Sequence, residues 1–355
     1  MKHNFGAGPG ILPAEVFTQA SQAILNFNQS GLSILEISHR SKDFEAVMDR
    51  TRALVKELLQ LSNDYEILFL GGGASTQFAM VPLNLLRENG KAAYLKTGVW
   101  ASKAMKEARL LGQTDVVASS EDRNYNYIPH QYSIPPDADY FHITSNNTIY
   151  GTQIHQFPEC NIPLVCDMSS DIFSRQFDAN RFALIYAGAQ KNMGPAGATM
   201  VIVNKNMLGK SERKLSTMFD YRTHADNGSM FNTPPVYAIY VIMLTLEWVK
   251  KMGGVAAMEK RNKEKADLFY SALDANPVFE GTAHKNDRSA MNACFLLKNK
   301  EMDNEFLALT KEKGIVGIKG HRSVGGFRAS MYNALDIESV KILTETMNEF
   351  ALKTA

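Results

Sequence analysis

The sequence predicts an α/β protein: a large unit built on a mostly parallel sheet between helices, followed by a smaller C-terminal α+β unit. Three observations carry this reading. Strand-like and helix-like stretches alternate from Tyr65 to Val203. Several of the strands are continuous apolar runs, as strands covered on both faces must be. From about Asn276 the pattern changes to short strands interleaved with two helices.

Pro13 opens the first helix at its first turn, and the helix runs to about Gln29, closing near Gly31. The second spans Lys42 to Leu61. Its apolar residues Phe44, Val47, Met48, Val55, Leu58 and Leu59 recur at three- and four-residue steps and give one buried face. Strand Tyr65–Leu70, turn Gly71–Gly73 and helix Thr76–Arg87 follow. Strand Ala92–Leu95 precedes a helix from about Trp100 to Leu111. Further strands are predicted at Asp115–Ala118, Tyr140–Thr144, Leu164–Cys166, Phe182–Tyr186 and Thr199–Val203. Two long helices come next, about Pro235–Lys251 and Val255–Leu273. The C-terminal unit reads as strand Asn292–Leu297, helix Asp303–Lys313, short strands Val316–Ile318 and Gly326–Ala329, and helix Ile337–Leu352. The expected organisation is an N-terminal arm 1–15, a large domain 16–255 and a small domain 256–355.

With 355 residues, 45% hydrophobic and 21% charged, the chain is long enough for one large and one smaller core. Its 38 basic and 37 acidic residues leave a net charge of +1, which gives no electrostatic reason to expect nucleic acid or an anionic membrane as partner. The longest apolar run, Val236 to Val249, is about 14 residues, too short to span a bilayer. The N-terminal residues lack the apolar stretch of a signal peptide. Cys160, Cys166 and Cys294 show neither metal-ligand spacing nor a disulfide framework, so no metal site is expected and a reducing cytoplasm is the expected location.

Chemistry concentrates where a doubly wound sheet puts ligands, at the C-terminal ends of strands. Gly71-Gly-Gly-Ala-Ser-Thr-Gln77 lies between a strand and a helix, and the free N–H groups of such a turn suit a phosphate. It lacks the Gly-Lys-Ser/Thr ending of a Walker loop and the spacing of a dinucleotide fingerprint. Asp167 ends the run Pro163-Leu-Val-Cys-Asp. It is placed either to hold a ligand cation or, with Ser169 and Ser170 nearby, to cap a turn. Lys191 lies in Ala187-Gly-Ala-Gln-Lys-Asn-Met-Gly194, just past an apolar strand and among small residues. A partly desolvated amine there loses its proton near neutral pH, as a Schiff-base lysine must. Basic residues cluster at Ser38-His39-Arg40 and along Lys319-Gly-His-Arg322 to Arg328, which suits a small dianionic acid. A phosphate-binding module without chemistry would share the glycine turn and the arginines.

At this point the chain resembles the phosphoserine aminotransferases, a family within the class V, fold-type I pyridoxal phosphate-dependent enzymes. The similarity runs nearly end to end. It includes His3-Asn-Phe-Gly-Ala-Gly-Pro9, Leu12-Pro-Ala-Glu15, Ser38-His-Arg40, Gly71–Gly73, Gln77-Phe78 and Val81-Pro-Leu-Asn84. It continues through Tyr186-Ala-Gly-Ala-Gln-Lys-Asn192, Gly194-Pro-Ala-Gly197, Asp226 to Pro235, and Lys319 to Ser330. The resemblance implies a large domain with a mostly parallel seven-stranded sheet between helices, and pyridoxal 5'-phosphate as cofactor. Lys191 would join the cofactor and shuttle the proton, and Asp167 would pair with the pyridine nitrogen. Trp100 would stack on the ring and Thr148 would line its edge. Ala74, Ser75 and Gln190 would hold the cofactor phosphate, with Asn232 and Thr233 arriving from the neighbouring subunit of a homodimer. Arg328 would bind the substrate α-carboxylate, and His39, Arg40, His321 and Arg322 would receive its distal phosphate or carboxylate.

The implied reaction is a reversible ping-pong transamination. 3-Phosphohydroxypyruvate and glutamate give O-phosphoserine and 2-oxoglutarate in serine biosynthesis, with phosphohydroxythreonine in pyridoxine biosynthesis as a further substrate. Two positions depart from some relatives: Ser75 stands where they carry arginine, and Ala7 where they carry serine. A cysteine desulfurase of the same fold type needs a nucleophilic cysteine on a mobile loop. Cys166 and Cys294 lie in apolar strands, and Cys160 lies in a connection well before Lys191.

Overall fold

Successive side chains of a strand point to opposite faces, so a strand buried on both sides feeds two cores at once. The computed structural model, which describes residues 2–354, is organised around that rule. In chain order, β1 (His3–Asn4) forms an arm ahead of α1 (Ala14–Leu25) and α2 (Lys42–Leu59). Then come β2 (Tyr65–Leu70), α3 (Gly73–Leu85), β3 (Lys91–Lys96), α4 (Val99–Ala108), β4 (Gln113–Ser119) and β5 (Tyr140–Thr144). A hairpin of β6 (Asn146–Asn147) and β7 (Thr152–Gln153) precedes β8 (Leu164–Asp167), β9 (Leu184–Gly188) and β10 (Thr199–Asn204). The short α5 (Tyr221–Asp226) leads to α6 (Val236–Lys251) and α7 (Gly254–Ala275). The C-terminal part holds β11 (Phe279–Gly281), β12 (Asn292–Leu297), α8 (Asp303–Glu312), β13 (Ile315–Val316), β14 (Phe327–Ser330) and α9 (Ile337–Thr354).

Seven strands form the main sheet in the order β2-β10-β9-β8-β5-β3-β4. Strand β10 runs antiparallel to both its neighbours, and the other pairings are parallel. Ile67, Phe69, Ala93, Phe141, Cys166, Ile185 and Ile202 face one core, which α1, α2 and α6 cover. Leu68, Tyr94, Tyr140, Val165, Tyr186 and Val201 face the other, under α3 and α4. The apolar run of α6 is thereby explained, since this helix is wedged between the sheet and α1 and α2. The three-stranded antiparallel sheet β11-β12-β14 makes its own core with α7, α8 and α9, rich in edge-on phenylalanines such as Phe279, Phe295, Phe306 and Phe350.

Two connections bind the parts together. Helix α7 contributes Val255 and Met258 to the large core but Ala266, Phe269 and Leu273 to the small one. The N-terminal arm pairs β1 in parallel with β13 and buries Phe5 in the small core. It then crosses to the main sheet, where Gly10 N–H donates to the Gln190 carbonyl at 2.7 Å.

Several elements end earlier or start earlier than their sequence pattern suggests. The first helix stops at Leu25 rather than Gln29, because the backbone turns extended at Asn26, and Asn28 and Gln29 then take left-handed backbone (φ 50° and 58°). The second stops at Leu59, with Gln60 left-handed. Helix α3 begins at Gly73, ahead of Thr76. Gly72, at φ 88°, serves as N-cap beneath Thr76, whose Oγ1 lies 2.0 Å from where a Cβ on Gly72 would sit. Strand β13 is Ile315–Val316 rather than Val316–Ile318, since its register is set by β1 and Gly317 turns away at φ 74°.

Candidate active site

Because β10 is the antiparallel member, the C-terminal ends of β2, β3, β5, β8 and β9 share one edge of the main sheet. Leu70 and Gly188 both sit across from Thr199, and Thr144, Asp167 and Tyr186 are neighbours in register. Each strand delivers one part of the site there. β2 leads into Gly71–Ser75, β3 into Trp100, β5 into Thr148, β8 ends in Asp167, and β9 leads into Gln190 and Lys191.

Lys191 Nζ donates to Thr148 Oγ1 at 2.8 Å. Its pKa is pushed down to about 8, first by burial, with Asp167 pulling it up, Arg328 lowering it and Asp171 raising it. The amine is therefore a usable base close to neutral pH. Asp167 is buried at 5% exposure and has no ion-pair partner among the described residues. Burial raises its pKa, while the Ser169 hydrogen bonds and Lys191 lower it. Ser169 N–H donates to Asp167 Oδ1 at 2.9 Å. One oxygen of this aspartate thus closes a turn, as the capping reading expects.

The residues fit a flat, phosphate-bearing pyridine ring. Helix α3 starts without a side-chain cap, so the first-turn N–H groups of Gly73, Ala74 and Ser75 have no intrahelical acceptor. Ser75 is exposed and Ala74 half-buried at that end. The half-buried Trp100 has its ring centroid 6.0 Å from Lys191 Nζ, and its buried Nε1–H has no partner. Asp167 supplies the carboxylate that a ring nitrogen would meet. Asn232 and Thr233 are exposed and share a cavity of about 450 Å³ with Gly71 and Gly72 of their own chain. Asn232 Nδ2 bonds only the adjacent Thr233 carbonyl, at 3.3 Å.

Thr148 is the joint between the two units. Its hydroxyl accepts from Lys191, and its carbonyl accepts from Arg328 Nη1 at 3.2 Å. Arg328 is carried on β14, whose backbone N–H at this residue donates to the Ile318 carbonyl at 2.7 Å. Its buried Nε–H has no partner. His321 lies in the preceding turn with Arg322. Its imidazole is held below its usual pKa by burial and by Arg328, Arg322 and Lys103. His39 and Arg40 are not drawn in: among the described residues no hydrogen bond or ion pair joins them to Lys191, His321 or Arg328. His39 is half-buried with an unpartnered Nε2, and Arg40 is exposed.

Several supporting residues escape the sequence pattern. Ser169 Oγ accepts from Gly188 N–H at 3.1 Å and so ties the Asp167 turn to the strand before Lys191. Asp171 is buried and accepts from Ser145 Oγ and from Gln153 at 3.2 Å. Asn192 Oδ1 accepts from Asn333 N–H at 3.0 Å, joining the lysine loop to the small unit. Tyr332 OH donates to the Ala7 carbonyl at 2.7 Å. The signal for the last contact was the glycine-rich arm itself. A Cβ on Gly10 would lie 2.8 Å from the Tyr332 ring and 2.9 Å from the Lys191 carbonyl. No thiol is poised for chemistry: burial raises Cys166 far above its ordinary range and Cys294 to about 12, and it also raises Cys160.

A lysine past one parallel strand and a buried aspartate at the end of the next define a pyridoxal phosphate-type site, and comparison with known proteins agrees. The aminotransferase class-V family matches residues 3–343, and the chain belongs to that family. Phosphoserine aminotransferase of Flavobacterium johnsoniae is 61% identical over 353 residues, 99% of each chain. A solved phosphoserine aminotransferase, studied for radiation damage of its Schiff base, superposes with a TM-score of 0.97 at 48% identity and covers 99% of both chains. The phosphoserine aminotransferase of Trichomonas vaginalis, solved with PLP bound, gives 0.93 at 36% identity, covering 98% of this chain and all of that one.

Proposed function

We propose that this chain catalyses the reversible ping-pong transfer of an amino group from glutamate to 3-phosphohydroxypyruvate, giving O-phosphoserine and 2-oxoglutarate, with pyridoxal 5'-phosphate as coenzyme. The observation that carries the reading is the pairing of Lys191 and Asp167 at one sheet edge, in a chain 61% identical to a phosphoserine aminotransferase.

The coenzyme, when bound, supplies an aldehyde that carries the amino group and a ring that accepts electron density from the substrate Cα. This chain's residues do the rest. Lys191 Nζ, steadied by Thr148, takes the proton from the substrate Cα and returns it on the far side of the transfer. Asp167 would pair with the ring N–H⁺, which would hold its carboxylate ionised. Trp100 would cover the ring face and Thr148 its edge, and the α3 N–H groups of Ala74 and Ser75, with Gln190, would receive its phosphate. Arg328 takes the α-carboxylate common to both substrates, while His321 and Arg322 take the distal anion.

The active unit is a homodimer in this reading. The exposure of Asn232 and Thr233 and their lack of bonds to the glycine turn support their reaching a second copy's phosphate site. The isolation of His39 and Arg40 within one chain supports the same origin for part of the distal-anion pocket. We further take the chain as arm 1–15, large domain 16–255 and small domain 256–355, on the strength of the separate apolar cores, and place it in the cytoplasm, where its three free thiols are stable. Phosphohydroxythreonine, which carries the same α-carboxylate and a distal phosphate, would be a second candidate substrate.

Single-turnover absorbance measurements test the reading. The purified protein is yellow, bleaches with phosphoserine or glutamate, and regains colour with 2-oxoglutarate, while alanine reacts far more slowly. Alanine reacting as fast as phosphoserine would overturn the substrate class. Borohydride reduction and peptide mapping must find the coenzyme on Lys191.

A further inference from the structure

We propose that Lys103, one turn into α4, is a specificity-determining residue whose ammonium adds a cation to the pocket for the distal anion and favours the phosphorylated substrate. The proposal rests on the transaminase reading above. It begins with position. Residues three apart on a helix share a face, so Lys103 stands beside Trp100 on α4, which springs from the catalytic edge just after β3. Lys103 Nζ lies 4.8 Å from the Trp100 ring centroid, and Lys191 Nζ lies 6.0 Å from that centroid. One indole therefore contacts both the catalytic amine and this second cation.

The turn that holds His321 and Arg322 docks on the same surface. Val324 of that turn packs in a small apolar cluster with Val99 and Trp100, beside Tyr125, Ile149 and Tyr150. Lys103 and the turn that carries His321 and Arg322 thus meet at Trp100, with Arg328 on the strand that follows the turn. His321 registers the same grouping: after burial, the neighbours that disfavour its charged form are Arg328, Arg322 and Lys103. Lys103 is exposed and has no ion-pair partner among the described residues, whereas Lys96, on the strand leading into α4, is already paired with Glu121. Such a cluster of positive charge is what an incoming anion compensates.

Charge decides between substrates. Coulomb energy scales with the product of the charges, so one extra cation attracts a phosphate carrying nearly two negative charges about twice as strongly as a single carboxylate. A merely structural Lys103, propping the indole by a cation–π contact, would affect both substrates alike.

The test compares Lys103→Met with Lys103→Arg in the coenzyme-loaded enzyme, measuring KM and kcat for O-phosphoserine and glutamate at low and high salt. For K103M, KM for O-phosphoserine rises about three- to tenfold at low salt while KM for glutamate rises about twofold or less, and added salt narrows the gap. K103R restores the preference. Equal losses for both substrates, with a shifted coenzyme absorption band, would overturn the proposal in favour of an indole prop. No change in either KM would overturn it outright. If the unaltered enzyme fails to turn over O-phosphoserine, the transaminase reading itself falls, a result distinct from either of these.

Discussion

Lys191, Asp167 and Thr148 hang from buried strand ends of the main sheet, whereas His39, Arg40, His321 and Arg322 sit on turns that water reaches. The first set is cross-braced: Thr148 bonds Lys191 and Arg328, and Ser169 bonds the Asp167 carboxylate and the Gly188 N–H. The second set has few bonds of its own, the closest being His321 Nδ1 with Ser323 Oγ at 2.6 Å. Under the proposed function the difference matches two tasks. One half fixes a single coenzyme and tunes one amine, which requires burial. The other half must accept two acids whose distal groups differ in charge, and solvated cations adjust to either without a large desolvation cost.

This contrast is broken most severely at its rigid end. Lys191→Ala should lower kcat by at least about 10⁴-fold, since it removes the proton-transfer base, while coenzyme still binds without a covalent link. A steady-state assay with phosphoserine and 2-oxoglutarate checks this, and near-normal turnover would sink the assignment. Asp167→Asn keeps the acceptor for Ser169 but removes the charge. A loss on the order of 10²-fold in the same assay is expected. At the flexible end the effect moves into binding. Arg328→Leu should raise KM about 10- to 100-fold for both glutamate and phosphoserine; an effect on only one of them would contradict its contact with their common carboxylate.

The mildest probe is pH. In coenzyme-free protein the neutral amine of Lys191 is the reactive form, so the rate of coenzyme capture should rise with pH through a midpoint near 8 and level off above it. An ordinary lysine would keep gaining to above pH 10. Asp167→Asn should move this midpoint lower, because the carboxylate favours the ammonium. Arg328→Leu should move it higher, because the guanidinium opposes it. A midpoint indifferent to both changes would mean that the two halves are not electrostatically joined at Lys191.

The sequence pattern was sufficient where burial writes a long signal. All seven strands of the main sheet are legible, several of them as continuous apolar runs, and Asp167 and Lys191 stand out as charged residues at or just past the ends of such runs. Two-residue strands carry no period, so β1 and the hairpin of β6 and β7, which flanks Thr148, left no trace. The α3 start was misplaced because glycines weaken helices in general, whereas here Gly72 supplies the left-handed cap that starts one. Contacts between residues distant in sequence, such as Asn192 with Asn333 or Ala7 with Tyr332, obey no local rule and emerge only from the folded chain.

The arm has a consequence for biosynthesis. His3 and Asn4 find their partner strand at Ile315 and Val316, so this pair can close only after residue 316 has left the ribosome. A nascent protein can raise its main sheet early, yet the strap linking that sheet to the small unit fastens last. Extensions fused ahead of His3 would therefore act on maturation before they act on turnover.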